Sequence, residues 1–300
     1  SLVALEDHSH PAWQRLKFEE LLAQQVSQMK ARAERAHLKA PVLNAAPKGL
    51  RDRLLGVLPF ELTGAQRKVC EEIALDLQKP QPMHRLLQGD VGSGKTVVAA
   101  LAAAVAMDAG WQCALMAPTE ILAEQHFRKL VGWLEPLGIK VAWLTGSLKA
   151  KAKREQIAAV ASGEAQLVVG THAVIQDQVA FARLGLALID EQHRFGVAQR
   201  LQLRRKLESS ELEPHLLMMS ATPIPRTLAM TYLADLEVST IDELPPGRTP
   251  IVTKVFADTR RPEVIERIRD EVARGRQVYW VCPLIDETED SDQAADEAAG

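Results

Sequence analysis

The stretch Gly89-Asp90-Val91-Gly92-Ser93-Gly94-Lys95-Thr96 matches the pattern G-x-x-x-x-G-K-[ST] at every fixed position. The glycines let the backbone curl so that several N–H groups point at one anion, as in a phosphate-binding loop. In such a loop Lys95 reaches the outer phosphates of a nucleoside triphosphate, and the Thr96 hydroxyl ligates Mg²⁺. We therefore predict that all the residues from Gly89 to Thr96 contact a nucleotide.

The sequence on both sides of this stretch favours the same interpretation over its alternative, a chance glycine-rich turn. Residues 84–88 are typical of a short buried strand that enters the loop. Residues 97–107 are alanine-rich and predict a helix that leaves it. A phosphate loop requires this order of strand, loop and helix.

The composition predicts a globular protein without a membrane partner. The 300 residues are 47% hydrophobic, enough to bury a sizeable core in one large or two medium domains. No apolar run approaches the roughly 18 residues of a membrane span, and the amino end lacks a secretory signal. The widely spaced Cys70, Cys113 and Cys282 favour reduced thiols. We therefore expect a cytoplasmic protein.

The overall charge and the two ends of the chain give weaker indications. A net charge of −3 does not predict a general nucleic-acid binder, so any DNA contact must rest on local patches. The chain begins at Ser1 without a methionine and ends in an acidic segment, residues 286–300. We expect both ends to be cuts through a longer protein.

Residues 13–38 predict one long amphipathic helix. Its apolar face carries residues at helical spacing: Phe18, Leu21, Leu22, Gln25, Met29 and Ala33. One interpretation is a helix that packs on the following domain as a brace or link. The alternative is a helix that binds a partner.

Short apolar segments alternate with helical ones from residue 86 onward, and this predicts a parallel sheet covered by helices on both faces. The predicted strands are residues 86–87, 113–117, 140–144, 166–169, 186–189 and 216–219. Ligands of such sheets bind at the carboxyl ends of the strands. We therefore expect the polar residues that follow each strand to do the chemistry.

A turn-rich linker at residues 243–247 predicts the start of a second unit. Beyond it we predict a strand at residues 251–256, a helix at 261–274 and another strand at 277–282. These elements resemble the beginning of a second α/β domain.

Asp190 and Glu191 directly follow the apolar segment Leu186–Ile189. A nucleotide hydrolase needs such carboxylates opposite its phosphate loop. Asp190 would hold Mg²⁺, directly or through water, and Glu191 would orient and deprotonate the attacking water. The alternative is a solvated acidic pair at the end of a strand.

Several further motifs resemble those of superfamily 2 helicases. DEQH at residues 190–193 resembles their DExH box, SAT at 220–222 their motif III, and APTEILAEQH at 117–126 their motif Ia. FELTGAQ at 60–66 resembles the adenine-recognition element. The resemblance implies a RecA-like P-loop NTPase fold, with a parallel sheet flanked by helices on both faces and preceded here by the long helix.

The order of GDVGSGKTVVA, APTEILAEQH, VVGTHA, DEQHRFGVAQR and SATPIPRT is similar, more narrowly, to bacterial branch-migrating DNA translocases of this superfamily. This likeness covers nearly the whole chain. It implies three parts: a linker helix region at 1–50, an ATP-binding domain at 51–243, and a linker with the truncated start of a second RecA-like domain at 244–300.

The resemblance also implies roles for single residues. Phe60 would stack on adenine and Gln66 would present its amide to the adenine edge. Without the resemblance, Gln66 would be assigned to a surface helix. His193 and Gln192 would couple the phosphate state to motif III, although a solvated loop histidine is the alternative.

The implied DNA contacts use hydroxyls and backbone N–H groups that bond phosphate oxygens without reading sequence. They are Thr119, Thr145, Gly146, Thr171 and His172. Basic clusters at residues 149–154 and 204–206 are open to two interpretations, a duplex contact or a solvated face. Aromatic residues are only 4% of the chain, so we expect phosphate tracking and not base stacking.

The implied function is that of an ATP- and Mg²⁺-dependent helicase that acts on branched DNA, namely Holliday junctions and replication forks, in recombination and repair. We expect a monomer. In the family a second lobe supplies an arginine finger from a Q-x-x-G-R-x-G-R-like segment, which this sequence does not contain. We therefore expect the chain alone to bind nucleotide and hydrolyse it slowly.

Two alternatives stay open. One is the motor of a non-unwinding duplex DNA translocase of the transcription–repair coupling type. The other is a nucleotide-binding module that does not hydrolyse ATP.

Overall fold

The structure, a computed structural model, describes residues 11–35, 37–191, 212–222, 236–243 and 252–281. The chain divides into two compact units, Ser1–Arg248 and Thr249–Gly300. The first contains a sheet and the second, within its described residues, a single longer helix.

The described residues of the first unit form a seven-stranded sheet in which every pair of neighbours is parallel. In chain order the strands are β1 His84–Gly89, β2 Gln112–Met116, β3 Val141–Leu144, β4 Leu167–Gly170, β5 Leu184–Asp190, β6 His215–Ser220 and β7 Glu237–Ile241. Their spatial order is β3-β4-β2-β5-β6-β1-β7. The parallel sheet and all six predicted strands of this unit are confirmed.

Helices separate most of these strands. They are α1 Pro11–Arg35, α2 Leu50–Val57, α3 Gly64–Leu77, α4 Lys95–Asp108, α5 Glu120–Leu134 and α6 Ala150–Ala161, with α7 Arg261–Ala273 in the second unit. Short 3-10 turns occupy Glu135–Leu137, His172–Ile175 and Asp258–Arg260.

Two hydrophobic clusters cover opposite faces of the sheet, because successive side chains of a strand point to opposite sides. In β2, Cys113 and Leu115 belong to one cluster, whereas Ala114 and Met116 belong to the other. The first cluster includes residues of α2, α3, α4 and α5, and the second includes residues of α6. Helices therefore flank both faces, as predicted.

Helix α4 lies deepest in the first cluster. All its residues from Val97 to Met107 are buried. Its many alanines have short side chains, so neighbouring elements can pack closely against the helix on all sides. The phosphate loop that precedes α4 is therefore anchored to a rigid support.

The ends of β3 and β4 approach closely at Gly170. A Cβ atom at this position would collide with the main-chain carbonyl of Leu144. The pairing of the two strands thus requires glycine here, and it fixes where residues 145–147 and 171–172 leave the sheet.

The long amphipathic helix is confirmed as α1, but its predicted packing is not found among the described residues. Phe18, Leu21, Leu22 and Met29 are 65%, 57%, 50% and 68% exposed. An apolar face is buried only where a complementary surface lies opposite, and no described residue provides one. The alternative, a partner-binding face, stays a prediction.

In the second unit the helix is confirmed and the two strands are wrong within the described residues. Residues 252–257 and 277–281 have no strand ladder. Val255, Tyr279 and Val281 are more than 90% exposed. A strand is stable only when a neighbour pairs with its backbone, and no described residue of this unit does so. Ile251 and Cys282 lie outside the described residues.

Cys70 and Cys113 are free thiols. Burial raises the pKa of Cys70 to about 12 and also raises the pKa of Cys113. Both therefore remain protonated and unreactive at neutral pH.

Candidate functional site

The loops that follow the strands meet at one edge of the sheet, because all the strands run in the same direction. Among the described residues these loops contain Gly89–Thr96 after β1, Asp190 and Glu191 at β5, and Ser220–Thr222 after β6. Thr119, residues 145–147 and residues 171–172 leave the same edge after β2, β3 and β4. The predicted phosphate, Mg²⁺ and DNA residues within the described ranges thus share this edge, whereas Phe60 and Gln66 lie just before and in the first turn of α3.

The phosphate loop has the backbone that its glycines allow. Gly92 and Gly94 have φ angles of 81° and 93°, in the left-handed region that side-chain-bearing residues rarely adopt. Gly94 is the N-cap residue of α4 and has no side-chain cap. A Cβ atom on Gly94 would also collide with the Gln66 amide. The first N–H groups of α4 are therefore available to an anion.

Lys95 reaches from the start of α4 back over this loop. Its Nζ donates to the carbonyl oxygens of Gly89 at 2.6 Å and Asp90 at 3.0 Å. Burial lowers the pKa of Lys95, while the nearby carboxylates of Asp190 and Glu191 act in the opposite direction. Lys95 therefore lies close enough to both acids for their charges to act on it.

A cleft of about 760 Å³ contains these groups together. This volume lies within the range of small-molecule sites, about 300–1,000 Å³. The lining residues are Phe60, Glu61, Thr63, Gln66, Val91, Gly92, Gly94, Lys95, Thr96, Val97, Leu122, Gln125, His126, Lys129, Trp133, Asp190, Glu191, Met219 and Ala221. Five segments of the chain, within residues 60–66, 91–97, 122–133, 190–191 and 219–221, thus face one cleft.

Asp190, the last residue of β5, is 7% exposed and forms a hydrogen bond with a histidine. Its Oδ2 lies 2.7 Å from Nε2 of His126 on α5, which is 9% exposed. No role for His126 was predicted from the sequence. The sequence does contain a relevant pattern, since Leu122, His126, Lys129 and Trp133 recur at helical spacing. In the structure all four line the cleft.

Glu191 has a strained backbone and connects two loops. Its φ angle of 49° is left-handed without a glycine. Its Oε1 accepts a hydrogen bond from the Ala221 N–H at 3.1 Å, and its own N–H donates to the Met219 carbonyl at 2.9 Å. The acidic pair is thereby tied directly to the SAT segment after β6.

The SAT segment is held in turn by its own side chains and by β1. The Thr222 N–H donates to Ser220 Oγ at 3.2 Å, and Gln88 Nε2 donates to the Thr222 carbonyl at 3.2 Å. A shift of this segment would therefore change its hydrogen bonds to both Glu191 and Gln88 at the end of β1.

Gln66 is buried, so its assignment to a surface helix is wrong. It is 3% exposed. Its Oε1 accepts from the Thr63 N–H at 2.9 Å in a capping box of α3. Its Nε2 donates to the Ser93 carbonyl at 2.8 Å. The amide predicted to face adenine thus already joins the start of α3 to the phosphate loop.

Phe60 is 46% exposed at the cleft and packs edge-on against Trp133, with ring centroids 6.4 Å apart. Trp133 was not among the predicted site residues. An aromatic pair at the rim of the cleft suits the stacking role predicted for Phe60.

The residues predicted to contact DNA differ in accessibility. Thr119, Gly146 and His172 are exposed, whereas Thr145 is fully buried and Thr171 is 4% exposed. The two buried threonines are better placed to shape the loops than to meet a ligand with their hydroxyls.

Glu120 holds the loop that follows β3. Its carboxylate accepts from the Ser147 N–H at 3.1 Å and from Ser147 Oγ at 2.7 Å. These side-chain and backbone hydrogen bonds lower the pKa of Glu120. The start of α5 is thus attached to residues 145–147, a contact that the sequence analysis did not predict.

The remaining predicted residues are only partly described. Lys149, Lys151 and Arg154 are exposed around the start of α6, and Lys153 Nζ donates to Gln176 Oε1 at 2.9 Å. Gln192, His193 and the basic cluster at 204–206 lie outside the described residues.

Within the described ranges, no helix is both long and apolar enough to span a membrane.

Comparison with known proteins adds the family. The model of the DEAD/DEAH box helicase family matches residues 63–231, which is more than half of the chain. The chain is 55% identical over 299 residues to the ATP-dependent DNA helicase RecG of Pasteurella multocida, covering 99% of this chain and 43% of that protein. It is 54% identical over 295 residues to RecG of Escherichia coli strain K12, covering 98% of this chain and 42% of that protein.

Solved structures agree with these likenesses. A structure described as RecG bound to a three-way DNA junction superposes with a TM-score of 0.79 at 41% identity, covering 95% of this chain and 37% of that one. The helicase MrfA bound to DNA shares the fold, with a TM-score of 0.57 at 18% identity over 80% of this chain and 37% of that one. The chain thus spans less than half the length of the curated relatives that it matches. Together with the phosphate loop and the acidic pair that face one cleft, the family match shows that the chain belongs to the DEAD/DEAH box helicases.

Proposed function

We propose that the chain is the ATP-binding lobe of an ATP-dependent DNA helicase that branch-migrates Holliday junctions and regresses stalled replication forks. The observation that carries the proposal is the convergence of Lys95, Asp190 and Glu191 on one cleft. The relatives named RecG and the relative described as bound to a three-way junction support branched DNA as the substrate class.

The nucleotide phosphates would bind at Gly89–Thr96. The N–H groups at the start of α4 would donate to phosphate oxygens. Lys95 would exchange its bonds to the Gly89 and Asp90 carbonyls for bonds to the outer phosphates. Phe60 would stack on adenine, and Gln66 would hold the loop in place while presenting the rest of its amide to the base edge.

Thr96 and Asp190 would hold Mg²⁺ together with the phosphates. Mg²⁺ in nucleotide sites is bound by one or two carboxylates plus phosphates, not by an all-protein cage. Thr96 and Asp190 fit this pattern, since they offer one hydroxyl and one carboxylate. Thr96 and Asp190 line the same cleft. When bound, the ion would neutralise charge that develops on the phosphates.

Glu191 would orient the attacking water and accept its proton. Its hydrogen bond to the Ala221 N–H gives the SAT segment direct contact with the base. Glu191 would therefore respond to any shift of that segment. His193 would act in the same coupling as the family motif implies.

The DNA strand would lie along the loops after β2, β3 and β4. Thr119, Gly146 and His172 are exposed there and would contact phosphates. Thr145 and Thr171 are buried, and the Thr171 N–H donates to the Leu144 carbonyl, so we assign both residues to the shape of these loops.

The proposed function also assigns a role to each part of the chain. Residues 51–243 would form the ATP-binding domain, residues 1–50 a linker helix region, and residues 244–300 the start of a second motor lobe. The exposed apolar face of α1 suits a segment that meets another part of a longer protein. We expect this protein to act as a monomer on chromosomal DNA in the cytoplasm.

The test is the variant Glu191→Gln in a protein extended through the second motor lobe. ATP turnover should fall by about 10²- to 10⁴-fold because the base is lost. Nucleotide affinity should change little, since Lys95 and the phosphate loop are intact. The matched control is Glu164→Gln, the same chemical change at an exposed ion pair with Lys140, which should leave turnover unchanged.

Two outcomes would favour the alternatives. Unchanged turnover in Glu191→Gln would support a module that does not use this residue for hydrolysis. Normal ATP turnover without strand separation on a three-way junction would support a non-unwinding duplex translocase.

A further inference from the structure

His126 has no role in the function described so far, yet its side chain touches the acidic pair. Its Nε2 lies 2.7 Å from Oδ2 of Asp190. Both side chains are almost fully buried, with residue exposures of 9% and 7%. A contact of this length between an imidazole N–H and a carboxylate is a strong hydrogen bond in a dry environment.

The hydrogen bond engages one oxygen of the Asp190 carboxylate, Oδ2, and leaves Oδ1 available to a ligand. No donor among the described residues bonds Asp190 Oδ1. A carboxylate held at one oxygen cannot rotate freely about its last torsion angle, which is otherwise broad. The hydrogen bond therefore selects the orientation in which Oδ1 is presented.

Helix α5 is well suited to hold the ring in place. Thr119 Oγ1 caps its amino end by accepting from the Leu122 N–H at 3.3 Å. Ala123 and Leu130 flank His126 on the buried side of the helix. The imidazole is thus fixed by a packed helix and not by a loop.

Simple packing does not explain the pair well. A buried ionic or polar pair is seldom more stabilising than apolar side chains of the same volume. Carboxylates and histidines that bind metals, by contrast, are commonly oriented by an outer hydrogen-bond partner. The location of this pair, at the end of β5 and inside the cleft, matches the second situation.

We propose that His126 is a positioning residue that fixes the Asp190 carboxylate, through Oδ2, in the orientation that binds Mg²⁺ with the nucleotide. The inference rests on the proposed function, because it requires Asp190 to act on Mg²⁺.

The experiment measures the affinity of the whole protein for ADP by calorimetry, once with Mg²⁺ and once with EDTA. The ratio of the two affinities reports the Mg²⁺ contribution without any ATP turnover. Two variants of similar polarity are compared. In His126→Gln the amide nitrogen can occupy the place of Nε2, whereas in His126→Asn the shorter side chain cannot reach Asp190.

His126→Asn should lower the ratio about 10- to 100-fold, as is typical when an outer partner of a metal ligand is removed. His126→Gln should stay within about 3-fold of the wild type because the donor is kept. The affinity in EDTA should be the same in both. The control is Glu124→Gln, which alters only an exposed ion pair with Arg128 on the same helix. Thermal melting of each variant checks that the fold is intact.

Asp190→Asn in the same assay tests the metal role of Asp190 separately from the positioning role of His126. If Asp190→Asn loses the Mg²⁺ contribution while His126→Asn keeps it, the positioning role is overturned and the proposed function stands. If Asp190→Asn also keeps it, the proposed metal role of Asp190 fails. Equal losses in His126→Gln and His126→Asn would show that the hydrogen bond is not what matters, and would overturn the proposal.

Discussion

At the scale of single residues, the Gln66 side chain joins the start of α3 to the phosphate loop. Its carbonyl completes the capping box of α3 and its amide nitrogen holds the Ser93 carbonyl of the phosphate loop. One amide therefore connects the loop to the start of α3. If adenine binds against α3 as proposed, it could affect the position of the phosphate loop, because the same amide contacts both regions.

His215 provides a pH-dependent contribution to stability. In the native state Nδ1 accepts from the Met83 N–H at 3.0 Å and Nε2 donates to the Pro41 carbonyl at 2.7 Å. This use of both nitrogens requires the neutral ring. Burial lowers the pKa of His215, although a bond to Pro41 and the charge of Asp76 oppose the shift.

The sign of the effect follows from proton binding. As the pH falls below about 6.5, an unfolded histidine takes up a proton while the native His215 does not. Native stability should therefore fall as the pH is lowered from 7.5 to 5.5, by at most about 1.4 kcal/mol per pH unit for this one group. Urea unfolding of the wild type and of His215→Gln at pH 7.5, 6.5 and 5.5 tests this. The wild type should lose more stability across the range than the variant, and equal losses would contradict the assignment.

The residues predicted from sequence are those whose chemistry is local. Lys95, Asp190 and Glu191 follow from short motifs, and the parallel order of the strands brings those motifs to one edge. His126 and the contact of Glu120 with Ser147 were not predicted, because they depend on how α5 lies against β5 and the loop after β3. Such contacts between distant elements leave no fixed spacing in the sequence.

At the scale of elements, β7 was missed and two strands of the second unit were wrong for related reasons. Residues 237–241 combine exposed polar positions with only two buried ones, so their pattern is weak. They form a strand because β1 offers its free edge. Residues 252–256 and 277–281 have the stronger apolar pattern but no described partner. The presence of a neighbouring strand, and not the apolar pattern of the sequence, therefore determined whether each segment forms a strand.

Helix α2 is capped from a distant helix. Its own N-cap residue, Gly49, has no capping side chain. The Leu50 and Arg51 N–H groups instead donate to the carboxylate of Asp108, the last residue of α4, at 2.6 and 3.2 Å. This contact fixes the start of α2 against the helix that follows the phosphate loop.

Removing the cap should destabilise the first unit measurably. Asp108→Ala leaves two N–H groups of α2 without their acceptors and should lower the free energy of unfolding by about 1 kcal/mol, within the usual range of about 0.5–2. Asp108→Asn keeps one acceptor and should cost less. Urea denaturation monitored by circular dichroism gives the values. Glu124→Ala, at an exposed ion pair, should change the free energy by less than about 0.5 kcal/mol. A loss no larger than that in Asp108→Ala would show that water caps α2 equally well.

At the scale of the whole molecule, the described part contains the groups that we propose to bind the nucleotide and activate water, but the sequence contains no arginine-finger segment of the helicase type. The charge that develops on the transferred phosphate would therefore lack its strongest counter-charge in this chain. Arginine fingers contribute about 10³- to 10⁵-fold to turnover where they have been measured.

Extension of the chain through the second motor lobe should therefore raise ATP turnover by a factor in this range, while nucleotide affinity rises much less. Turnover of both forms is measured with a coupled assay, without DNA and with a three-way junction. The junction should stimulate the extended form and leave the 300-residue chain unchanged. The extended form carrying Glu191→Gln serves as the control for contaminating activity, since it keeps every added residue and loses only the base. Equal turnover by the two lengths would mean that the first lobe is a complete hydrolase, and the second lobe would then have to act on DNA movement alone.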